Sequence, residues 1–299
     1  MTDGSQRSIE PRCSDLGSAL PLIGTAPMTS RWWLIEHPGP WGSHAVRDAS
    51  TSWIAACAQV PTDRARVVLV RRHAGFHDRH TSAGRRIFTF APGDHVVWGR
   101  FVDDSEDPRI GDFDEVSADP VWEPVFDYPR VTVCTNGRRD RCCAERGRAA
   151  LDSLPPDVLE HVWECTHLGG HRFAPVALAI PSGVVLGRFT PDSLIDMVRQ
   201  DHLDLDTLRG RSDLTPPEQV GELSARRAWS WTSIGEHLRV SSTQVPDGSD
   251  VTVVVTGPDG PDGPGSTEHS VTVRRRMSAP AITSCAATPE ALAMWEEVH

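Results

Sequence analysis

The sequence lacks any run of about 18 apolar residues, and its first stretch, MTDGSQRSIEPRCSDLG, contains no apolar segment. A membrane-spanning helix needs about 20 predominantly apolar residues. A secretory signal needs an apolar core close to its N-terminus. The absence of both features predicts a cytoplasmic protein with no membrane partner.

Basic residues are outnumbered by acidic ones. The chain has 30 Lys and Arg against 41 Asp and Glu, which gives a formal net charge of -11. Binding to nucleic acid normally requires a basic face, so we expect no nucleic-acid partner. An acidic surface instead suits docking onto a basic patch of another protein.

The chain contains no C-x-x-C motif, and its seven cysteines are an odd number. In a cytosolic protein this composition is not a disulfide framework. Four cysteines lie between positions 134 and 165, a clustering that favours metal or redox chemistry. The other three are predicted to be ordinary thiols: Cys13, Cys57 and Cys285.

Composition divides the chain into four predicted parts. They are a flexible tail (1–27), an N-terminal α/β domain (28–120), a second α/β domain (121–215) and a C-terminal extension with a β-hairpin (216–299). The boundary at 120 follows an acidic connector rich in Asp, Pro and Gly. No sequence repeat is visible between the parts.

Apolar runs bounded by turn residues predict the elements of each part. In the second domain the order β-α-β-β-β-α predicts a small α/β sandwich, whose last helix begins at Pro191 after the N-cap Thr190. In the extension a helix is predicted at 225–238. The predicted strands lie at 31–37, 66–72, 85–90, 95–102, 128–137, 161–165, 176–180, 184–189, 250–257 and 268–276.

The stretch WECTHLGGHR places His167 and His171 four residues apart, with Gly169 and Gly170 between them. Each glycine in a helix interior costs about 1 kcal/mol relative to alanine, so the segment is predicted to be a loop. Glycines in a loop allow a sharp bend or a close approach of the backbone to a bound group.

A second pair with the same spacing, His73 and His77, lies in HAGFHDRH. Spacing alone cannot choose between the two pairs, so their context decides. Near His73, His77 and His80 the only acidic or cysteine neighbour is Asp78. We therefore interpret this segment as a surface loop rather than a site for a divalent ion.

The pair at 167 and 171 has thiols within reach. Cys134 lies near the end of the strand predicted at 128–137 and Cys143 at the start of the next helix, in the spacing C-x8-C, and 23 residues separate Cys143 from His167. Two thiols and two imidazoles on neighbouring strand ends can converge on one point. They suit tetrahedral zinc or a [2Fe–2S] cluster. The wide cysteine loop favours the cluster, because structural zinc sites usually use a tight C-x2–4-C turn.

These residues resemble a known family. CTNGRRDRCCAERG together with HLGGH is similar to the sucrase/ferredoxin-like proteins, relatives of the thioredoxin-like [2Fe–2S] ferredoxins, and WWLIEHPGPWG and LRGRSDLTPPEQ extend the resemblance over most of the chain. The resemblance implies a thioredoxin-like ferredoxin domain, preceded by a second α/β domain for which a degenerate thioredoxin-like fold is one option. It also implies a [2Fe–2S] cluster with Cys134 and Cys143 on one iron and His167 and His171 on the other.

Neighbouring residues add detail to this site. Cys142 is available in the spacing C-x7-C, but the family spacing selects Cys143. The candidates for residues that surround the four ligands without binding the metal are Gly169, Gly170, Arg138 and Cys142. Cys165 is interpreted as a small buried residue on a strand.

The leading hypothesis is a non-catalytic one-electron carrier or redox sensor that serves a partner protein. Replacing two thiolates by neutral imidazoles raises the potential, from about -400 mV in plant-type ferredoxins to roughly -150 to +300 mV in Rieske centres. The alternatives are a structural zinc module using the same four residues and a thioredoxin-like thiol oxidoreductase using Cys142 or Cys143. The last lacks the C-x-x-C motif that a dithiol enzyme normally needs.

Overall fold

Two β-sheets carry the fold, in a computed structural model that describes residues 11–73, 84–103, 105–106, 120–246, 248–257 and 267–298. The chain is mixed α/β, as the sequence predicts. The strands are β1 (Trp32–Glu36), β2 (Arg66–Arg72), β3 (Gly84–Phe90), β4 (Trp98–Asp103), β5 (Glu123–Pro124), β6 (Val131–Cys134), β7 (Val162–Cys165), β8 (Val176–Ala179), β9 (Val184–Gly187), β10 (Leu208–Arg211), β11 (Arg239–Gln244), β12 (Asp250–Thr256), β13 (Glu268–Met277) and β14 (Ala293–Glu297).

Six α-helices connect or cover these strands in the described part of the chain. They are α1 (Cys13–Leu16), α2 (Ser52–Ala56), α3 (Arg141–Asp152), α4 (Pro156–Leu159), α5 (Pro191–Gln200) and α6 (Pro216–Trp229). None of the helices in the described ranges is long and apolar enough to cross a membrane.

The larger sheet has ten strands in the order β10-β9-β8-β6-β7-β2-β1-β3-β4-β5. Within it, one arrangement occurs twice. In β2-β1-β3-β4 the first two strands are parallel and the next two pairings are antiparallel, and the same holds for β7-β6-β8-β9. The two four-strand units meet where β2 pairs antiparallel with β7. A repeated topology is therefore present without a visible sequence repeat.

The sheet continues across the domain boundary predicted at 120. Strands from both predicted domains pair through β2 and β7, and β5 pairs with β4. Both faces of β1 are covered, since Trp32 and Leu34 belong to one apolar core and Trp33 and Ile35 to another. The first of these cores extends over both units and includes Cys134 and Cys143.

Two predictions for the outer parts of the chain are corrected. Residues 13–26 are not a loose tail, because Cys13, Leu22 and Ala26 are buried. The helix predicted at 225–238 lies at Pro216–Trp229 instead. Thr215 and Glu218 form a capping box that starts this helix, and such reciprocal bonds satisfy the first free backbone N–H groups.

The smaller sheet is antiparallel in the order β11-β12-β13-β14, so the predicted hairpin of β12 and β13 is confirmed. Helix α6 packs on this sheet through Val220 and Ala225, which share an apolar core with Val253, Val255 and Val273. The C-terminal extension is thus attached to the larger sheet by α6 and β10.

Candidate metal centre

The cysteines of the candidate site lie where β6 ends and α3 begins. Cys134 is the last residue of β6, and Cys143 is the third residue of α3, whose N-cap is Asp140. Both cysteines are buried. Helix α3 approaches β6 closely at Gly147, where an added Cβ would lie 2.3 Å from the Cys134 carbonyl oxygen. The glycine therefore permits the contact that brings the two thiols together.

The histidines lie in the loop that follows β7, the strand parallel to β6. In the register of these strands Cys134 is opposite Cys165, so the loops that leave both strands begin at one edge of the sheet. The loop bends through Gly169 and Gly170, with φ values of +90° and +76°. It then enters a short 3-10 turn at His171–Phe173, and the peptide bond before Pro175 is cis.

The four predicted ligand residues are brought together. The Sγ atoms of Cys134 and Cys143 and a ring nitrogen of His167 all lie within 4.8 Å of one another. His171 Nδ1 lies 3.6 Å from Cys143 Sγ. The two imidazole rings stack, with centroids 4.1 Å apart and an angle of 16° between their planes.

The thiols of Cys134 and Cys143 have pKa values shifted in opposite directions. A hydrogen bond from Cys143, supported by His167 and opposed by burial, holds the pKa of the Cys134 thiol well below its usual value. The same bond and burial raise the pKa of Cys143. Cys134 is therefore the more easily ionised thiol of the pair, and the thiolate is the form of cysteine that binds metals.

His171 is held neutral. Burial, followed by the nearby charge of His167, lowers the pKa of His171 to about 4. A neutral imidazole has a free ring nitrogen that can bind a metal. The site thus combines two thiols, one of them with a lowered pKa, and a neutral imidazole, which is a donor set for a soft or borderline metal.

Arg209 on β10 supports the histidine loop and was missed by the sequence analysis. Its Nη1 donates to the Gly169 carbonyl oxygen at 2.9 Å, and its Nε donates to Thr25 Oγ1 at 3.1 Å. An added Cβ on Gly170 would lie 2.7 Å from Arg209 Nη2. Burial lowers the pKa of Arg209 to about 9. A signal was present, since Arg209 lies in the LRGRSDLTPPEQ segment.

Glu164 on β7 was also missed, and it contacts β2 and the residues that directly follow β2 and β6. Its carboxylate accepts bonds from Thr135 Oγ1 at 2.7 Å and Arg71 Nη2 at 2.7 Å, and lies 2.8 Å from His73 Nδ1. Thr135 directly follows Cys134. Burial acts to raise the pKa of Glu164, but the bonds from Thr135 and Arg71 outweigh it and lower the pKa.

The interpretation of His73 as part of a surface loop is therefore wrong. His73 is buried between Glu164 and Asp152, whose Oδ1 lies 2.9 Å from Nε2. The reason is that a carboxylate on the neighbouring strand, distant in sequence, provides the partner. His77 and His80 lie outside the described residues.

The remaining predicted residues have different surroundings. Arg138 is exposed on the turn before α3. Cys165 is buried on β7, and burial raises the pKa of its thiol. Cys142 is buried but lies in a separate group of thiols, where its Sγ is 3.3 Å from Cys13 Sγ. Cys142 and Cys143 are adjacent in α3, but Cys142 lies beside Cys13 whereas Cys143 lies beside Cys134 and His167.

Comparison with known proteins identifies the family of this chain. The model of the sucrase/ferredoxin-like family matches residues 22–210, more than half of the chain. The chain belongs to the sucrase/ferredoxin-like family. The match includes all four candidate ligands and Arg209, whereas α1 and the smaller sheet lie outside it. Searches of curated proteins and of solved structures found no match.

Proposed function

We propose that Cys134, Cys143, His167 and His171 hold a [2Fe–2S] cluster and that the protein is a one-electron carrier or redox sensor in a thioredoxin-like ferredoxin fold. The observation that carries this proposal is the convergence of two buried thiols and two stacked imidazoles at one sheet edge. Membership of the sucrase/ferredoxin-like family supports it.

The donor set fits such a cluster. Cysteine thiolates hold most iron–sulfur clusters, and two histidines replace two cysteines on one iron in Rieske centres. Here Cys134 has a lowered pKa and His171 is kept neutral by burial. When bound, the cluster would supply the acceptance and release of one electron.

The protein residues set the conditions for that chemistry. Burial of Cys134 and Cys143 excludes water from the thiol side. Arg209 fixes the Gly169 carbonyl and therefore the path of the histidine loop. His167 is the partly exposed member of the set, so we place the docking side for a redox partner protein at this imidazole. Two neutral ligands reduce the negative charge of the set, which favours a potential nearer the Rieske range.

A single zinc ion is the second candidate, and the compactness of the site favours it. The three donor atoms of Cys134, Cys143 and His167 lie within 4.8 Å, and His171 Nδ1 is 3.6 Å from one of them. Four such donors suit tetrahedral zinc. The protein would then be an interaction module without electron transfer.

Metal content and colour separate the two candidates. Full-length protein purified without oxygen is expected to contain about two irons per chain and to absorb visible light that dithionite bleaches. Cys134→Ser should lose this absorption, and Cys57→Ser, which changes a buried thiol in another core, should keep it. A colourless protein with one zinc that Cys134→Ser removes would contradict the cluster.

The reduction potential of the cluster tests whether the histidines are ligands. His167→Cys adds a thiolate ligand, and we expect the midpoint potential to fall, on the order of 100 mV or more, toward the plant-type range. Redox titration of the wild type and this variant measures the change. An unchanged potential in a variant that retains its iron would exclude His167 as a ligand.

A further inference from the structure

A second group of side chains that could bind a metal includes Cys142, the residue before Cys143 in helix α3. It consists of Cys13, Asp140, Cys142 and Cys285, whose possible ligand atoms all lie within 4.8 Å of one another. Cys142 Sγ is 3.3 Å from Cys13 Sγ and 3.4 Å from Cys285 Sγ. Cys285 Sγ is also 3.4 Å from Asp140 Oδ1. We call this set the outer thiol group.

The outer thiol group joins three distant segments of the chain. Cys13 begins α1, Cys142 lies in the first turn of α3, and Cys285 lies between β13 and β14. Cys13 and Cys285 both lie outside the residues matched by the family model. The group therefore does not belong to the candidate centre that the family membership supports.

Asp140 is oriented as a ligand would be. Its Oδ1 accepts the backbone N–H of Cys142 at 2.9 Å, and its Oδ2 accepts the backbone N–H of Cys285 and the hydroxyl of Ser284, both at 3.0 Å. These bonds fix the carboxylate among the three sulfur atoms. Oxygen atoms that are held by such outer bonds make better ordered metal ligands.

Simple packing explains this arrangement poorly. Cys13 and Cys142 are almost fully buried, and Asp140 is only 4% exposed. Among the described residues no Arg, Lys or His side chain forms an ion pair with Asp140 that could balance its charge. A buried carboxylate and three thiols that face one another are polar groups turned toward a common point, whereas a buried cysteine used only for packing behaves as a small apolar side chain.

We propose that Cys13, Asp140, Cys142 and Cys285 form a structural zinc site. Three thiolates and one carboxylate give zinc the four sulfur and oxygen ligands of a tetrahedral site. When hydrated Zn²⁺ binds, three S–H bonds break, three Zn–S bonds and one Zn–O bond to Asp140 form, the waters on the zinc leave and three protons pass to water. No oxidant or reductant is required, since zinc has no redox chemistry.

The surrounding charges favour an anionic site of this kind. Three thiolates and a carboxylate around Zn²⁺ leave excess negative charge. Cys142 lies in the first turn of α3, where the helix dipole stabilises negative charge. Arg12, which is paired with Glu145, interacts electrostatically with Cys142 and Cys285. Arg172 interacts in the same way with Cys13.

The proposed ion would fasten both ends of the described chain to the helix that carries Cys143. It would bind the folded chain and not the unfolded one, so the thermal midpoint should rise with zinc concentration. This site is independent of the proposed function, because it uses none of the four candidate cluster ligands.

The test uses the full-length protein, purified without oxygen or chelator, with zinc and iron measured per chain. The double variant Cys13→Ser/Cys285→Ser is compared with Cys57→Ser, a buried thiol outside both groups. We expect the wild type and Cys57→Ser to retain one zinc that the double variant lacks. Iron content and the visible spectrum should be the same in all three proteins.

Two further variants allow for a double variant that does not fold. Cys285→Ser changes an exposed thiol, and Asp140→Asn keeps a side chain that caps helices well. Each should weaken zinc binding about tenfold to 100-fold in competition with a chromophoric chelator. Equal affinity in the wild type and both variants would overturn the proposal.

Other outcomes are equally decisive. A wild type that holds no zinc and takes up none when its thiols are reduced would overturn the site, and so would a stable Cys13–Cys142 disulfide in the anaerobic protein. A zinc ion that is lost in Cys134→Ser but kept in the double variant would contradict this site and assign zinc to the candidate centre instead.

Discussion

Gly169 and Gly170 show at the scale of single residues why the histidine loop has its sequence. Both have positive φ, a region that costs other residues about 1–2 kcal/mol. They differ in their surroundings: an added Cβ meets nothing within 4 Å at Gly169 but lies 2.7 Å from Arg209 Nη2 at Gly170. Gly169 is required only because its φ is positive. Gly170 is required for the same reason and also because a side chain there would collide with Arg209.

This difference gives a matched pair of variants. Gly169→Ala should lower the free energy of unfolding by about 1–2 kcal/mol. Gly170→Ala should lower it by a further 1–3 kcal/mol, roughly, because Arg209 must move. Urea denaturation of both proteins, prepared free of metal, measures the two effects. Equal losses would show that Arg209 does not restrict the loop.

At the scale of elements, the position of Glu164 connects the two four-strand units. Glu164 lies opposite Arg71 in the pairing of β7 with β2, and it also binds Thr135 after β6. His73, the first histidine of the second pair in the sequence, directly follows β2, and His167, the first candidate histidine ligand, lies two residues after β7. The two pairs with equal spacing thus follow strands in corresponding positions of the repeated topology.

The contribution of Glu164 should depend on pH. Its pKa is lower in the folded chain than its usual value of 4.5, so the unfolded chain binds more protons as the pH falls below about 4.5. The stabilisation is therefore present at neutral pH and lost in acid. Glu164→Gln should cost about 1–3 kcal/mol at pH 7 and less at pH 4.

Denaturation by urea at both pH values measures this dependence. Glu123→Gln, which changes an exposed glutamate on β5, serves as the control and should change little at either pH. An equal loss of unfolding free energy for Glu164→Gln at pH 7 and pH 4 would show that the charge of Glu164 does not stabilise the pairing of β2 with β7.

At the scale of the whole molecule, helix α6 joins the smaller sheet to the larger one through a close contact. An added Cβ on Gly221 would lie 2.4 Å from Val253 Cγ1 on β12. Alanine normally stabilises a helix interior relative to glycine by about 1 kcal/mol. Here the contact with β12 should reverse that preference.

Gly221→Ala is therefore expected to destabilise the protein by about 1–3 kcal/mol through overpacking. Thermal and urea denaturation of the variant and the wild type give the sign directly. A more stable Gly221→Ala protein would mean that the smaller sheet does not pack on α6 as closely as described.

Local patterns predicted the strands and helices around the candidate site well, because those elements are short apolar runs bounded by Gly, Pro and capping residues. Val131–Cys134 lies within the strand predicted at 128–137, and helix Pro191–Gln200 begins at the predicted residue. Helix α6 was misplaced because its buried face includes the polar residues Gln219, Glu222 and Arg226, which conceal the apolar period.

Long-range contacts could not be predicted in this way. The convergence of Cys134, Cys143 and the two histidines follows from parallel strands and was foreseen as a hypothesis. The outer thiol group was not, because Cys13 and Cys285 are brought to Cys142 only by packing of the chain ends. Arg209 and Glu164 were missed for the same reason, since their partners are distant in sequence.

The most direct test of the central proposal is pulsed electron paramagnetic resonance of the full-length protein after reduction with dithionite. A cluster with two histidine ligands should give a paramagnetic two-iron signal with hyperfine couplings from two nitrogen donors, and His167→Cys should lose one of these couplings. A reduced protein without a paramagnetic signal, or a cluster signal without nitrogen coupling, would contradict the assignment of His167 and His171 as ligands.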